Sequence, residues 1–320
     1  MSIEKPLKFS VVIPLYNKQI TIQRAIQSVI SQTYKDFELI VVDDGSTDQS
    51  FESACGIADP RIRIIRQENR GECAARNRGI KETRFEWIAF LDADDEWKND
   101  FLKDILDLMQ RFPSCGVYAT FYEMVFGVNK KPMSYFKYYP PMWSGEIDNI
   151  FDVMCTGYPF NSSSIVIKKE YIIKAGGFPE GIHNAGDLIT WIRLAVITKI
   201  AYLNNPLSIY YLKTGGKLNN PHQHLGRSIL NKMIIEFIIS GQIREFQERS
   251  ARNLISKFQY EDTRVQLKSG NRRKAFSLWL KSKKAKYIWK EWLILLIYII
   301  FPKRTLDYIF KVKKSTQKIV

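Results

Sequence analysis

Residues 85–97 read FEWIAFLDADDEW. The apolar run Trp87-Ile88-Ala89-Phe90-Leu91 has no polar face, and it ends in Asp92, Asp94 and Asp95. A strand that is apolar on both faces belongs to a parallel sheet covered by helices on each side. Three carboxylates within four positions repel one another unless a positive charge sits among them. One short stretch therefore sets both questions: which covered sheet the strand joins, and what neutralises its acidic end.

The same pattern recurs upstream. FSVVIPLYN (residues 9–17) is an apolar strand stopped by Pro14, with Tyr16 and Asn17 just beyond it. FELIVVDDGSTD (37–48) is a strand that runs into Asp43 and Asp44. Between them, TIQRAIQSVISQ (21–32) carries Ile22, Ala25, Ile26, Val29 and Ile30 at helical spacing, with Thr21 as its N-cap. A helix near 49–57, a strand RIRIIRQ (61–67) and a helix GECAARNRGIKET (71–83) follow. Strands and helices that alternate through short connections predict a Rossmann-like α/β/α sandwich around a mixed, mostly parallel sheet. In such sheets ligands sit beyond the carboxyl ends of the strands. Tyr16-Asn17, Asp43-Asp44 and the Asp92–Asp95 cluster are therefore expected to converge on one site.

An Asp-x-Asp pair at a strand end suits Mg²⁺ or Mn²⁺, which take oxygen ligands and need few from the protein. The plainer alternative is an acidic N-cap for a helix beginning near Lys98. At Asp43-Asp44-Gly45-Ser46 a carboxylate could accept from a nucleobase N–H or a ribose hydroxyl, although an Asx-turn would use the same residues. Arg76 and Arg78 follow Gly71 on a short helix, where a guanidinium suits phosphate, the acidic cluster or only solvent.

Taken in order, VVIPLYNKQITIQRAIQSVISQTYKDFELIVVDDGSTD, ENRGECAARNRGI and IAFLDADD resemble the family 2 glycosyltransferases of the GT-A fold, from about Ser10 to Arg193. The resemblance implies a GT-A catalytic domain over 1–220, with a nucleotide-sugar half of about 1–100 and an acceptor half of about 101–220. It implies transfer from a nucleotide-diphospho-sugar, most commonly a UDP-sugar, with inversion and a divalent metal, Mn²⁺ or Mg²⁺. By the same likeness Pro14, Tyr16 and Asn17 border the nucleotide, Asp44 with Asp43 meets base or ribose, and Arg76 lies near the nucleotide. Asp92-Ala93-Asp94 becomes the Asp-x-Asp motif, with Asp94 and Asp92 as metal ligands and Asp95 beside a water or an acceptor hydroxyl. A second family signature matches GGFPEGIHNAGDLITWIRLA (176–195), with Asp187 in the place of the catalytic base. Two departures stand out: Gly186 where an acidic residue is usual, and Ile189 where a polar one is common. His183, on the loop before Asp187, is a candidate contact to acceptor or phosphate.

The rest of the chain is less specific. YYLKTGGKLNNPHQH (210–224) reads as a loop that could close over the donor, bringing His222 and His224 towards the diphosphate. Residues 221–280 read as a helical extension. From Lys281 to the end, eleven Lys or Arg against Glu291 and Asp307 give this tail +9 of the chain's +15. Within it the apolar run Trp292–Phe301 has ten residues, short of the ~20 that cross a bilayer. Flanked by lysines and carrying Trp289, Trp292 and Tyr298, it suits a helix lying on an anionic membrane surface; a buried helix packed on the catalytic domain is the alternative. Nucleic acid is not an expected partner, because the aromatics are embedded in aliphatic residues rather than interleaved with basic ones. The four scattered cysteines are expected to be reduced and mostly buried. No signal-peptide layout opens the sequence. The expectation is thus a cytoplasmic enzyme held on the inner face of the plasma membrane, acting on a lipid-linked saccharide in bacterial surface-polysaccharide assembly. Two rivals remain: a nucleotidyltransferase, which lacks here its glycine-rich, lysine-bearing triphosphate loop, and a catalytically silent sugar-binding or scaffolding relative.

Overall fold

The computed structural model describes residues 6–126, 135–182, 185–212, 223–282 and 289–300. The chain divides into two compact units, Met1–Val153 with Gly157–Leu218, and Met154–Thr156 with Asn219–Val320.

The first unit begins with β1 (Phe9–Leu15), α1 (Ile22–Ile30), β2 (Phe37–Asp43), α2 (Ser50–Cys55), β3 (Ile62–Arg66), α3 (Glu72–Glu82) and β4 (Trp87–Phe90). It continues through β5 (Glu96–Trp97), α4 (Phe101–Arg111), β6 (Val117–Phe126), β7 (Ser144–Glu146) and the first four residues of α5 (Ile150–Thr156). It ends with β8 (Ile165–Lys168), α6 (Lys169–Lys174), α7 (Gly186–Ile197) and β9 (Ile200–Leu212). The strands form one sheet in the order β3-β2-β1-β4-β8-β6-β9-β5, with β7 paired on β9. Pairings among the first four are all parallel, while β8 runs against both β4 and β6. The order reverses between β1 and β4, because β2 and β3 extend to one side of β1 and β4 lies on the other. A doubly wound sheet opens its ligand crevice at such a switch point.

Burial explains why these runs are strands. β1 alternates Phe9, Val11, Ile13 and Leu15 towards α1, where Ile22, Ala25, Ile26 and Val29 meet them in one core. Val12 faces the other way, under α3. That helix rides so close that a Cβ on Gly79 would stand 2.2 Å from Val12 Cγ1. Only glycine permits this approach.

Several local expectations shift. The segment SSSIVIKKEYI (162–172) is a 3-10 turn at Ser162–Ser164, then β8, then α6 from Lys169. Ser164 closes the turn, with Asn161 N donating to its Oγ at 2.9 Å. No helix starts at Lys98. Instead Glu96-Trp97 forms β5 against β9, and α4 begins at Phe101. Trp97 is held there because its indole N–H donates to Ser163 O at 2.7 Å and its ring stacks on Phe101 at 4.2 Å. The acidic cluster is thus too far upstream to cap α4. Thr21 sits at the N-cap of α1 but makes no side-chain capping bond. Cys73, Cys115 and Cys155 are buried, whereas Cys55 is exposed at the end of the short α2.

The second unit is helical: α8 (Gln223–Ile239), α9 (Glu245–Lys268), α10 (Arg272–Lys281) and α11 (Trp289–Ile300). Its core joins Tyr260, Ala275, Trp279, Leu295 and Ile299. Among the described residues no helix is long and apolar enough to cross a membrane.

Candidate active site

The carboxyl ends of β2, β1 and β4 lie side by side, so the residues just beyond them share one face. Asp43 is fully buried; Ser46 N donates to its Oδ1 at 3.3 Å, and Arg66 Nε stands 3.1 Å from its Oδ2. Arg66 also donates to Ser46 O at 3.0 Å, which ties the turn after β2 together. Asp44 accepts from Gln67 Nε2 at 2.7 Å and Arg70 N at 3.0 Å on Oδ1, and from Gly71 N at 2.7 Å on Oδ2. Its carboxylate therefore anchors the entry to α3, beyond the local Asx-turn that the sequence offered. Pro14 lies within β1 opposite Val42, and Tyr16 is exposed. Asn17 adopts a left-handed φ of 50° and accepts from Thr47 N at 2.9 Å. Asparagine tolerates that region better than most residues.

In the acidic cluster every member has a partner. Asp94 Oδ2 is ion-paired with Lys18 Nζ, and the Asp94 carbonyl accepts from Arg24. Arg24 also pairs with Glu96 at 3.2 Å and lies over the Tyr211 ring at 3.8 Å. Asp92 Oδ1 accepts from Arg76 Nη2 at 2.7 Å. Asp95, fully buried, accepts from the Ser163 hydroxyl and from Tyr211 N, the latter at 3.3 Å. Burial lifts the Asp95 carboxyl well above the ordinary carboxylate range, and the charge of Asp92 adds to the lift. Burial also raises Asp92, with the Arg76 charge pulling the other way. Two side-chain cations, Lys18 and Arg76, thus stand against Asp94 and Asp92.

Arg76 connects two halves of the site. Burial works against its charge, but Asp92 and Glu72 outweigh that and hold it above the usual arginine range. Its guanidinium lies 5.3 Å from the Phe178 ring centre and its Nη1 stands 3.6 Å from Glu72 Oε1, and among the described residues its Nε and Nη1 make no hydrogen bond. The next residue, Asn77, clamps the turn that leads to α7. Asn77 Oδ1 accepts from Phe178 N at 2.8 Å, and its Nδ2 donates to Phe178 O at 2.8 Å. Gly177 at φ 68° makes that turn, and a Cβ there would meet Asn77 Oδ1 at 2.7 Å. Consecutive residues of α3 thereby hold the end of β4 and the approach to α7 in fixed relation.

Asp187 occupies the first turn of α7, partly buried, with its Oδ1 accepting from Leu188 N at 2.8 Å. Burial raises its carboxyl above the ordinary value; the Leu188 N–H and the Arg76 charge oppose this, while Glu72 and Asp92 reinforce it. Gly186, the departure from the family pattern, is explained by packing. A Cβ there would meet Cys73 Sγ at 2.6 Å, and Cys73 is buried. Burial pushes that thiol up to about 12, so the space is held by a neutral sulfur and no acidic side chain fits it.

Tyr210 on β9 completes the arrangement. Its ring meets Tyr122 edge-on at 6.2 Å, and among the described residues its hydroxyl has no hydrogen-bond partner. Burial and the charges of Asp95, Asp92, Asp94 and Asp187 push it up to about 12, so it stays a protonated donor at neutral pH. His183 and His222 lie outside the described residues. Sequence reading missed Lys18, Arg24, Asn77, Ser163 and Tyr210. For Lys18 a signal existed, since a lysine directly follows the polar strand end at Tyr16-Asn17. Arg24 and Asn77 lie on helices read from the sequence, but no local pattern shows what they reach; Ser163 and Tyr210 come from far along the chain.

A parallel half-sheet with acidic strand ends at its switch point, and a further carboxylate at the start of a helix held by the same α3, is the architecture of a GT-A glycosyltransferase fold. The family description "Glycosyl transferase family 2" matches residues 10–165. The amylovoran biosynthesis glycosyltransferase AmsB of Erwinia amylovora is 31% identical over 240 residues, 70% of this chain and 75% of AmsB. An uncharacterized glycosyltransferase of Rickettsia felis is 34% identical over 204 residues, 63% of this chain but 32% of that protein, so the chain spans about a third of that relative's length. In three dimensions, residues 1–349 of S. aureus TarS, crystallised with UDP-GlcNAc, match with a TM-score of 0.63 at 20% identity over 93% of this chain and 82% of that one. The chain belongs to glycosyltransferase family 2.

Proposed function

We propose that this chain moves a sugar from a nucleotide-diphospho-sugar, a UDP-sugar by preference, to a saccharide acceptor with inversion at the anomeric carbon. The observation that carries this is Arg76, buried between Asp92 at the end of β4 and the turn that leads to Asp187 on α7. Carboxylates for a donor and a carboxylate for an acceptor are thus held in relation by consecutive residues of one helix, Arg76 and Asn77 of α3. The crystallised TarS complex with UDP-GlcNAc supports a UDP-sugar. The name of AmsB supports polysaccharide biosynthesis as the setting.

In this reading the acceptor hydroxyl lies against Asp187, which takes its proton as the oxygen attacks the anomeric carbon. The bond to the diphosphate oxygen breaks on the opposite face, and the nucleoside diphosphate leaves. A carboxyl raised by burial is a stronger base than a solvated one, and such proton transfer typically contributes ~10²–10⁴-fold. Tyr210 offers its hydroxyl to a sugar hydroxyl lying among Asp92, Asp94, Asp95 and Asp187, the carboxylates whose charge it feels. Pro14, Tyr16, Asn17, Asp43, Asp44 and Arg76 border the nucleotide. Asp95, already bonded to Ser163, shapes the floor.

Asp94, with Asp92, would hold a Mn²⁺ or Mg²⁺ ion. The donor set fits. Both side chains keep partial exposure, at 22% and 27%, and among the described residues no third His, Cys, Asp or Glu joins them as a cage. Such ions are often held by one or two carboxylates, with substrate phosphate completing the shell. When bound, the ion would neutralise charge on the departing diphosphate. Lys18 is the side chain that must release Asp94 for this.

The same reading takes the acceptor to be lipid-linked and the enzyme to work at the inner face of a membrane, with the +9 tail from Lys281 as the attraction. The test of the donor reading is a thermal-shift panel of UDP-, GDP-, dTDP- and CMP-sugars with and without Mn²⁺, on native protein and Asp94→Ala. A ligand at ~100 times its Kd adds ~2.7 kcal/mol of stability. Stabilisation by UDP-sugars that needs Mn²⁺ and disappears in Asp94→Ala is expected. Folded protein that no nucleotide-sugar stabilises would sink the reading.

A further inference from the structure

The second unit leaves an apolar face bare. In α11, Leu295 and Ile299 turn inward, at 6% and 7% exposure, and join Tyr260, Ala275 and Trp279. Four residues apart, they form the helix's packing seam. The other side of α11 is just as apolar and lies in solvent, with Ile294 48%, Ile297 44% and Ile300 57% exposed. On α10 the pattern repeats. Ala275 and Trp279 pack, while Phe276 and Leu280, one position on, are 42% and 62% exposed. Both bare faces flank the same buried seam. Solvated large aliphatics concentrated on two neighbouring helices mark an interaction surface rather than scattered exposure.

Charge decides what covers it. Arg273, Lys274 and Lys281 on α10 are exposed beside Phe276 and Leu280. Lys283, Lys284, Lys286, Lys303 and Arg304 surround α11 in the sequence, in a tail of net +9. A protein partner matching this surface would need an acidic rim around an apolar centre. An anionic lipid interface supplies both without special design: headgroups for the cations and the acyl boundary for the side chains. At twelve residues α11 is about 18 Å long, too short to span but long enough to lie flat.

We infer that the exposed faces of α10 and α11 together dock on an anionic membrane surface, with Phe276, Leu280, Ile294 and Ile297 entering the acyl boundary. This rests on the membrane part of the reading above and replaces a loosely attached tail with a defined face. The seam residues are not involved, so docking does not require α11 to leave the protein.

The experiment is vesicle co-sedimentation of the full chain. Vesicles of phosphatidylcholine alone are compared with vesicles of phosphatidylcholine and phosphatidylglycerol at 7:3. The native chain, Ile294→Glu/Ile297→Glu and Arg273→Glu/Lys274→Glu/Lys281→Glu are each run at 0.1 M and 0.5 M salt. Native protein should bind the anionic vesicles at least tenfold more strongly than the neutral ones. Either variant should lose at least tenfold, and high salt should weaken the native chain. Melting temperature and the UDP-sugar thermal shift are read on the same preparations to show that the variants fold. No native binding to anionic vesicles, equal binding to neutral ones, or unchanged binding by the folded Ile294→Glu/Ile297→Glu chain overturns the inference. So does a native dimer in sedimentation equilibrium that this variant abolishes, because the face would then belong to a second copy. A failed UDP-sugar shift with intact vesicle binding would count against the donor reading alone.

Discussion

Gly186 offers the sharpest test of how the site is packed. A Cβ added there would stand 2.6 Å from Cys73 Sγ, where ordinary contact begins near 3.4 Å. Cys73 is buried, so its sulfur has little room to retreat. Forcing a methyl group into a filled core costs ~1–3 kcal/mol. Against this, alanine in a helix is favoured over glycine by ~0.5–1 kcal/mol. Midpoints of the two ranges leave Gly186→Ala destabilised by roughly 1 kcal/mol net. One kcal/mol moves Tm by ~2–4 °C in a unit of this size, so a drop of about 2–4 °C is expected. The informative comparison is Cys73→Ala, which removes the sulfur. In that background Gly186→Ala should be neutral or raise Tm, giving a coupling of ~1–3 kcal/mol between residues in contact. Four proteins and one melting assay decide it. If Gly186→Ala costs nothing in the native background, or costs the same in the Cys73→Ala background, the packing account of this glycine is wrong.

Two further outcomes test the electrostatics. Asp187→Asn should cut kcat by ~10²–10⁴ while leaving the UDP-sugar thermal shift intact. In the native enzyme the acid limb of the rate should lie above the ordinary aspartate value of 3.8, because burial raises that carboxyl; a limb at or below it would contradict the assignment. Asp95 tests the sign of a stability effect. Its folded carboxyl is raised, so its contribution is fully present below about 3.8 and is lost as pH climbs through the folded value. Asp95→Asn, neutral throughout, should melt above native protein at pH 8, with the gap closing towards pH 4. A gap that does not depend on pH would mean the carboxyl is not the cause.

The strands legible in the sequence were those buried on both faces. FSVVIPL and FELIVVD could satisfy their side chains only inside a covered sheet, and Asp43, Asp44 and Asp92–Asp95 then had to emerge at its ligand edge. Hydrophobic continuity is a local property, which is why β1, β2 and β4 were found from residues alone. The short elements were not. Glu96-Trp97 is a strand because the Trp97 indole reaches Ser163 O, 66 residues away, and the chain leaves β8 for a helix at Lys169 after an apolar run of only Ile165, Val166 and Ile167.

For the site itself, residue order alone shows which carboxylates face the ligand edge and that like charges there need a counter-charge. It could not say which cation answers them. Folding chose Arg76 for Asp92 across 16 residues and Lys18 for Asp94 across 76. It also fixed the Asn77 clamp on Phe178, the Cys73 sulfur filling the space above Gly186, and the Tyr210 ring set edge-on against Tyr122. Each is a contact between elements remote in sequence, where no spacing rule operates and only the packing of β1, α3, α7 and β9 brings the atoms within reach.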